Sequence, residues 1–397
     1  MTIGNKNGEL IIALEGRIDT NNAAQTESGI FAAVGNADTA DVVIDAEKLE
    51  YISSAGLRVL MKLRKELGKP LPVINVSRDV YDIFETTGFT ELLDVKKALR
   101  KVSLEGCEVI GRGGHGKVYR LDEETIIKVY HDNSPLSLIE KEREYAKNAF
   151  VHGVPSAIAY DIAETEEGCG LVFEMAGATT LGNYIMANPD KLYEYAVKFS
   201  KLLKTLNTTE ADPALYGDIK DIYRGRLNKA AGYFTDEENA LLERILDSVP
   251  DGSGMIHGDY HTNNVMVQSD GELVLIDMAD ISRGNAIFDF AGSYLVMNMS
   301  GQSGDEMSLK VIGLDREKAK QVWDITLSTY FDTQDPKRLE LLGNICGAFS
   351  LFRLAATLGM GTERTRANAE RITAILREKL FPNTESFCRL FAMPLGL

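Results

Sequence analysis

Residues 257–267 read HGDYHTNNVMV, placing Asp259 five positions before Asn264, with His257 and His261 on either side of the aspartate. Two histidines four apart grip zinc when one helix turn brings them together and a third ligand is close. Here they lie between SGM and VMV, in a loop leading into a strand, with no further His or Cys nearby. Metal clamping is therefore the weak reading. A carboxylate in such a loop can orient a hydroxyl and take its proton, and a carboxamide oxygen paired with a second carboxylate can hold magnesium. Asp277 is that second carboxylate. VMVQSDGELVLID reads as a strand, a tight turn at Asp270 and Gly271, and a returning strand that carries Asp277 back beside Asn264. Such a set serves phosphoryl transfer, where charge on the β and γ phosphates must be neutralised while an acceptor is oriented.

A phosphate ligand also needs a cradle. In GRGGHGKVYRL, Gly111, Gly113 and Gly116 form G-x-G-x-x-G, with Val118 two residues on. A dinucleotide fold requires a helix after the last glycine, yet KVYRL alternates and is β-branched and aromatic, so it reads as a strand. GRGGHGK also satisfies the P-loop spacing, but Val118 comes next and has no hydroxyl for magnesium. A strand, glycine loop and strand laid over nucleotide phosphates remains, and it requires a lysine on the next strand. ETIIKVY supplies Lys128. The helical stretch SLIEKEREYAKNAFVHG offers Glu140, Glu142 and Glu144 as its partner.

Together HGDYHTNN, VLID, GRGGHGKVY, IIKVY and the FEM at 173–175 resemble the aminoglycoside phosphotransferase and choline-kinase-like branch of the protein-kinase-like fold, over about residues 104–300. The resemblance implies Asp259 as catalytic base and Asn264 and Asp277 as magnesium ligands. It also implies an ATP site formed by Gly111, Gly113, Gly116, Val118, Lys128, Glu142, Glu174 and Met175. Glu142 is favoured over its two neighbours by its distance to Gly153-Val154-Pro155, and Glu174 and Met175 fall at the hinge that meets adenine through backbone groups. Asp289, in SRGNAIFDFAGSY, matches the aspartate that braces the catalytic loop; its plainer reading is an acid in a helix's first turn. Asp277 is succeeded by Met-Ala-Asp, not Phe-Gly, and no Ala-Pro-Glu element lies downstream. Both departures point to a small-molecule hydroxyl substrate.

The elements ahead of this unit are of another kind. Of the formal charge of −16 only −2 falls in residues 1–102, and 44% of the 397 residues are hydrophobic, enough for more than one core. Such acidity argues against nucleic-acid and anionic-membrane binding. The four cysteines are scattered, no basic leader precedes an apolar run, and the apolar stretch CGAFSLFRLAATLGM is broken by Arg353, so a cytoplasmic protein is expected. ELIIALEGRID, DVVIDA and LPVINVS read as strands, SSAGLRVLMKLRKELG and RDVYDIFETTGF as helices, and KALRKVSLEGCEVIG as the end of an amphipathic helix running into a strand. Ser53 or Ser54 starts the first helix, where a hydroxyl caps free N–H groups or, phosphorylated, sits at the positive end of the helix dipole.

The run VVIDAEKLEYISSAGLRVLMKLRKELGKPLPVINVSRDVYDIFETTGF resembles the STAS domain of bacterial anti-sigma factor antagonists. In that family a Ser or Thr in the segment matching 53–57 is phosphorylated, which blocks a partner such as an anti-sigma factor. The family's Asp-Ser-Ser-Gly-Leu is here Ile-Ser-Ser-Ala-Gly-Leu, which favours Ser54 and keeps Ser53 open. The expectation is an α/β STAS-like domain at 1–102 and then an α+β two-lobed protein-kinase-like domain at 104–397, with lobes at about 104–175 and 176–397. Three functional readings are open: a magnesium- and ATP-dependent small-molecule kinase coupled to a STAS unit, a kinase acting on a STAS serine of its own or of a partner, and a non-catalytic nucleotide-binding regulator.

Overall fold

In a computed structural model of the chain, apolar residues alternate along Glu9–Ile18 and turn Leu10, Ile12, Leu14 and Ile18 into a core. The structure describes residues 1–6, 8–37, 41–114, 116–131, 134–299 and 304–392; His115 of the glycine loop and the end of the chain lie outside them. The described residues form two units, Met1–Ser103 and Leu104–Leu397.

The first unit is a five-stranded sheet of β1 (Thr2–Lys6), β2 (Glu9–Ile18), β3 (Val42–Ile52), β4 (Pro72–Val76) and β5 (Asp94–Lys97), ordered as in sequence. β1 pairs antiparallel with β2, and the remaining pairs are parallel. The helices are α1 (Ala23–Gly35), α2 (Ser54–Leu67) and α3 (Arg78–Thr86). α2 buries Leu57, Leu60 and Leu63 and leaves Arg58, Lys62 and Lys65 in solvent; it stops at Gly68, whose φ of 66° suits a residue without a Cβ. Contrary to expectation, KALRK does not leave a helix: Asp94–Lys97 and Arg100–Lys101 are strands, and Val95 lies opposite Val73 on β4. The lysines favour a helix, but burying Leu93 and half-burying Val95 at the sheet edge overrides that weak preference.

In the second unit five antiparallel strands lie in the order Ala159–Thr165, Gly168–Glu174, Thr125–Tyr130, Gly116–Arg120, Glu108–Gly113. The helix Leu136–Val151 packs beside them with Glu142 inward. The rest of the unit is mainly helical. Helix Leu192–Thr208 packs on Arg316–Tyr330, and Pro336–Leu358 packs on both Ile287–Tyr294 and Ile219–Ala230. Pro336–Leu358 is long and apolar enough to cross a membrane, yet 56% of its most apolar window is buried inside the unit. Two short ladders, Val265–Val267 with Leu273–Leu275 and Gly254–Ile256 with Ser282–Gly284, hold the HGDYHTNN loop between them.

Candidate active site

The loop is shaped first by its own backbone. Gly258 has φ +82°, which lets the chain turn sharply out of the Gly254–Ile256 strand. Both histidines spend their ring nitrogens locally. His257 Nδ1 accepts from the Asp259 N–H at 3.4 Å and Nε2 donates to the Ile276 carbonyl at 3.2 Å. His261 Nδ1 accepts from the Asn263 N–H at 3.2 Å, and Nε2 faces Asp259 Oδ2 at 3.3 Å. The described residues contain no cluster of three or more His, Cys, Asp or Glu fit to hold a metal. These histidines shape the loop.

Asn264 Nδ2 donates to the Asp259 carbonyl at 2.9 Å and approaches Oδ2 at 3.4 Å, so the amide oxygen of Asn264 faces away from the aspartate. The half-exposed Asp259 carboxylate is opposed by burial, but the His261 hydrogen bond and the positive charge of Arg353 outweigh that and hold it below the usual carboxylate range. It stays ionised and able to take a proton only from a strongly acidified donor or in concert with bond formation. The returning hairpin turns at Gly271, with φ +82°, and pairs Val265 with Leu275; the Ile276 N–H then reaches the Asn264 carbonyl at 3.0 Å. Asp277, next in the chain, is thereby set beside Asn264, in a left-handed conformation with φ 60°.

Lys128 joins the sheet to this loop. Its Nζ lies 2.8 Å and 3.1 Å from the Glu142 carboxylate oxygens and 2.7 Å from Asp277 Oδ1. Burial disfavours the ammonium, but Glu142 and Asp277 more than compensate and raise its pKa. The Tyr130 hydroxyl, two residues along the strand, donates to Glu142 Oε2 and fixes the other side of that carboxylate. Glu142 alone of the three candidate glutamates pairs with Lys128.

The family model described as "Phosphotransferase enzyme family" matches residues 106–324, more than half of the chain. The chain belongs to this phosphotransferase family. Residues 2–102 of the phosphotransferase match the model for the STAS domain. Over 98 residues it is 35% identical to BtrV of Bordetella bronchiseptica, assigned as an anti-sigma factor antagonist; the match spans 24% of this chain and 84% of that protein. Solved structures similar to it include the ADP-bound aminoglycoside phosphotransferase APH(2'')-Ib, at 16% identity and a TM-score of 0.45, covering 72% of this chain and 94% of that one. The gentamicin complex of APH(2'')-IIa matches at 14% identity and 0.48, covering 81% of this chain and all of that one.

The phosphotransferase's glycine loop joins Glu108–Gly113 to Gly116–Arg120, with Gly113 opposite Gly116 and Gly111 opposite Val118. The glycines differ in what they permit. A Cβ on Gly116 would fall 1.9 Å from the Val129 carbonyl, whereas one on Gly113 or Gly114 would meet nothing within 4 Å among the described residues. The loop's second strand pairs Val118 with Lys128, whose ammonium meets Asp277, so the groups that would hold nucleotide phosphates and magnesium are the loop backbone, Lys128 and the hard oxygen donors of Asn264 and Asp277. Replacing Gly116 with Ala should destabilise the unit by about 3 kcal/mol, while Gly113→Ala should leave the melting temperature unchanged and weaken ATP binding. Thermal melts and calorimetric titration of the two variants separate the cases.

At the FEM segment the N–H groups are used within the protein. Glu174 turns inward: its N–H donates to the Ile158 carbonyl at 3.0 Å and its Oε1 accepts from the Ile158 N–H at 2.9 Å. The Met175 N–H donates to the Glu124 carbonyl at 2.7 Å. Ala176 carries the first N–H past them that no described residue takes. Asp289 accepts from the His257 N–H at 3.0 Å, the Gly258 N–H at 2.8 Å and Asn207 Nδ2 at 2.9 Å. It lies in the first turn of helix Ile287–Tyr294 and holds the loop as well, so the two sequence readings describe one residue. Burial pushes its carboxyl up, and these donors oppose that shift. Asn207, Tyr130 and Arg353 also support the site, and of these only Arg353, a lone charge in an apolar stretch, has a local sign in the sequence.

On the STAS unit, Ser53 is the N-cap of α2, its Oγ accepting from the Gly56 N–H at 3.5 Å, and Ser54 is the first helical residue, exposed. A Cβ on Gly56 would lie 2.7 Å from Ile52 Cγ1, so the helix start seats tightly on the sheet.

Proposed function

We propose that the Leu104–Leu397 unit transfers the γ-phosphoryl group of ATP to the hydroxyl of a small molecule in the cytoplasm, and that the STAS unit couples this activity to a protein partner of the anti-sigma factor kind. The observation that carries the reading is that Lys128, paired to Glu142, also meets Asp277, and that the residue before Asp277 donates its N–H to Asn264, which in turn holds Asp259. Lys128 and the glycine-loop backbone hold the phosphates, Asp277 and Asn264 supply oxygen ligands to magnesium, and Ala176 offers its N–H to the base. Magnesium, when bound with ATP, neutralises charge at the β and γ phosphates. Asp259 orients the acceptor hydroxyl and receives its proton as the oxygen attacks. To identify the acceptor, the pure chain is incubated with magnesium and γ-labelled ATP, alone and with aminoglycosides, choline, sugars and homoserine-like alcohols. Label moving to one class identifies the substrate; label on none of them, with ATP intact, contradicts the reading.

Ser54 is the modification site this reading assigns to the STAS unit. A phosphate there faces the unpaired N–H groups of the α2 start and adds about two negative charges to a nearly neutral unit, which suits release of a partner. Intact-mass analysis after incubation with ATP and magnesium should find one phosphate that is lost in Ser54→Ala and retained in Ser53→Ala, the latter costing about 1 kcal/mol as a lost cap. Its loss in Asp259→Asn would assign the transfer to this chain's own site. A phosphate that persists in Ser54→Ala overturns the assignment.

A further inference from the structure

Arg353 stands in the Pro336–Leu358 helix among Phe349, Phe352, Ala355 and Ala356, all buried. A guanidinium partly removed from water costs free energy unless its donors are used. Here they are used on the catalytic loop. Nη2 donates to the Gly258 carbonyl at 2.7 Å and Nη1 to the Tyr223 hydroxyl at 2.8 Å. Tyr223 is fully buried, its ring against Phe288 and Phe352, so its hydroxyl is fixed in direction. Room for the guanidinium comes from Gly292, where a Cβ would lie 3.3 Å from Arg353 Cζ. Among the described residues no carboxylate stands within ion-pair distance of Arg353, although three helices are arranged to seat it. Its charge serves the loop.

Gly258 is consequently held from both sides. Asp289 takes its N–H and Arg353 takes its carbonyl, at a residue whose φ of +82° has to be kept if Asp259, next in the chain, is to point at the acceptor. Position 353 also lies beyond residues 106–324, the stretch that matches the family model. We propose that Arg353 is a positioning residue for phosphoryl transfer: it clamps the Gly258–Asp259 peptide opposite Asp289 and sets positive charge behind the Asp259 carboxylate. The proposal rests on the reading of Asp259 as the group that takes the acceptor's proton.

The test uses the full chain with Arg353→Met, Arg353→Lys and Tyr223→Phe. Three quantities are measured: turnover of ATP with magnesium, affinity for the same nucleotide by calorimetry, and amide hydrogen exchange of residues 257–264. Arg353→Met should lower turnover by about ten- to a hundredfold, the scale of small misplacements of a reacting group, with affinity within about threefold of the parent. Exchange should speed up in 257–264 and not elsewhere. Arg353→Lys should recover part of both effects, and Tyr223→Phe should give a weaker version of the Met phenotype. Unchanged exchange and turnover in Arg353→Met overturn the proposal, as does faster exchange throughout the unit, which would make Arg353 a core residue. If the parent chain binds no ATP, the functional reading falls, and the exchange data still decide whether Arg353 fixes the loop.

Discussion

Asp259→Asn is expected to lower phosphoryl transfer by about two to four orders of magnitude, the range of a positioned general base, and to leave ATP affinity close to that of the parent. The reason lies in the site's division of labour. Asp259 meets Asn264 and His261 in the loop, whereas Lys128 and Asp277, the groups proposed to serve the nucleotide, pair with each other. An asparagine keeps the side-chain shape and can still take the Asn264 contact, but it cannot receive a proton. Turnover and calorimetric affinity measured on the same preparations check this. An equal loss of both would move Asp259 into the nucleotide site.

Lys128→Met should abolish measurable ATP binding and also destabilise the unit. Glu142 has a fully buried carboxylate side chain, 0% exposed against 14% for Lys128, so removing the lysine strands a charge in the interior, at a cost of about 3–5 kcal/mol. The double variant Lys128→Met with Glu142→Leu should recover most of that stability without recovering nucleotide affinity. Melting curves and titrations of parent, single and double variants separate the ion pair's structural part from its part in binding. Recovery of ATP affinity in the double variant would mean that Lys128 holds the helix in place and does not contact phosphate.

The set Lys128, Asp259, Asn264 and Asp277 was legible in the sequence because each member is fixed by short-range rules: a five-residue spacing in a loop, an Asp-Gly turn that returns the chain, and a lysine between Ile127 and Val129 on a strand. The edge strand Asp94–Lys97 was not, since its lysines resemble a helix and only pairing with β4 reveals what Leu93 and Val95 cover. At the hinge, a tripeptide does not tell that Ile158 and Glu124 take the N–H groups of Glu174 and Met175. Arg353 was visible only as a break in an apolar stretch. Its partner is a backbone carbonyl 95 positions away, and backbone carbonyls have no sequence signature.

Phosphorus NMR of ATP with magnesium, tracked over hours with the parent chain and Asp259→Asn side by side, bears most directly on the claim that this site transfers phosphate. With the acceptor found in the labelling panel present, the γ-phosphate signal should decay in the parent and reappear as a phosphomonoester, and should persist in Asp259→Asn. A γ signal that stays intact in the parent, or decays equally in both, would contradict it.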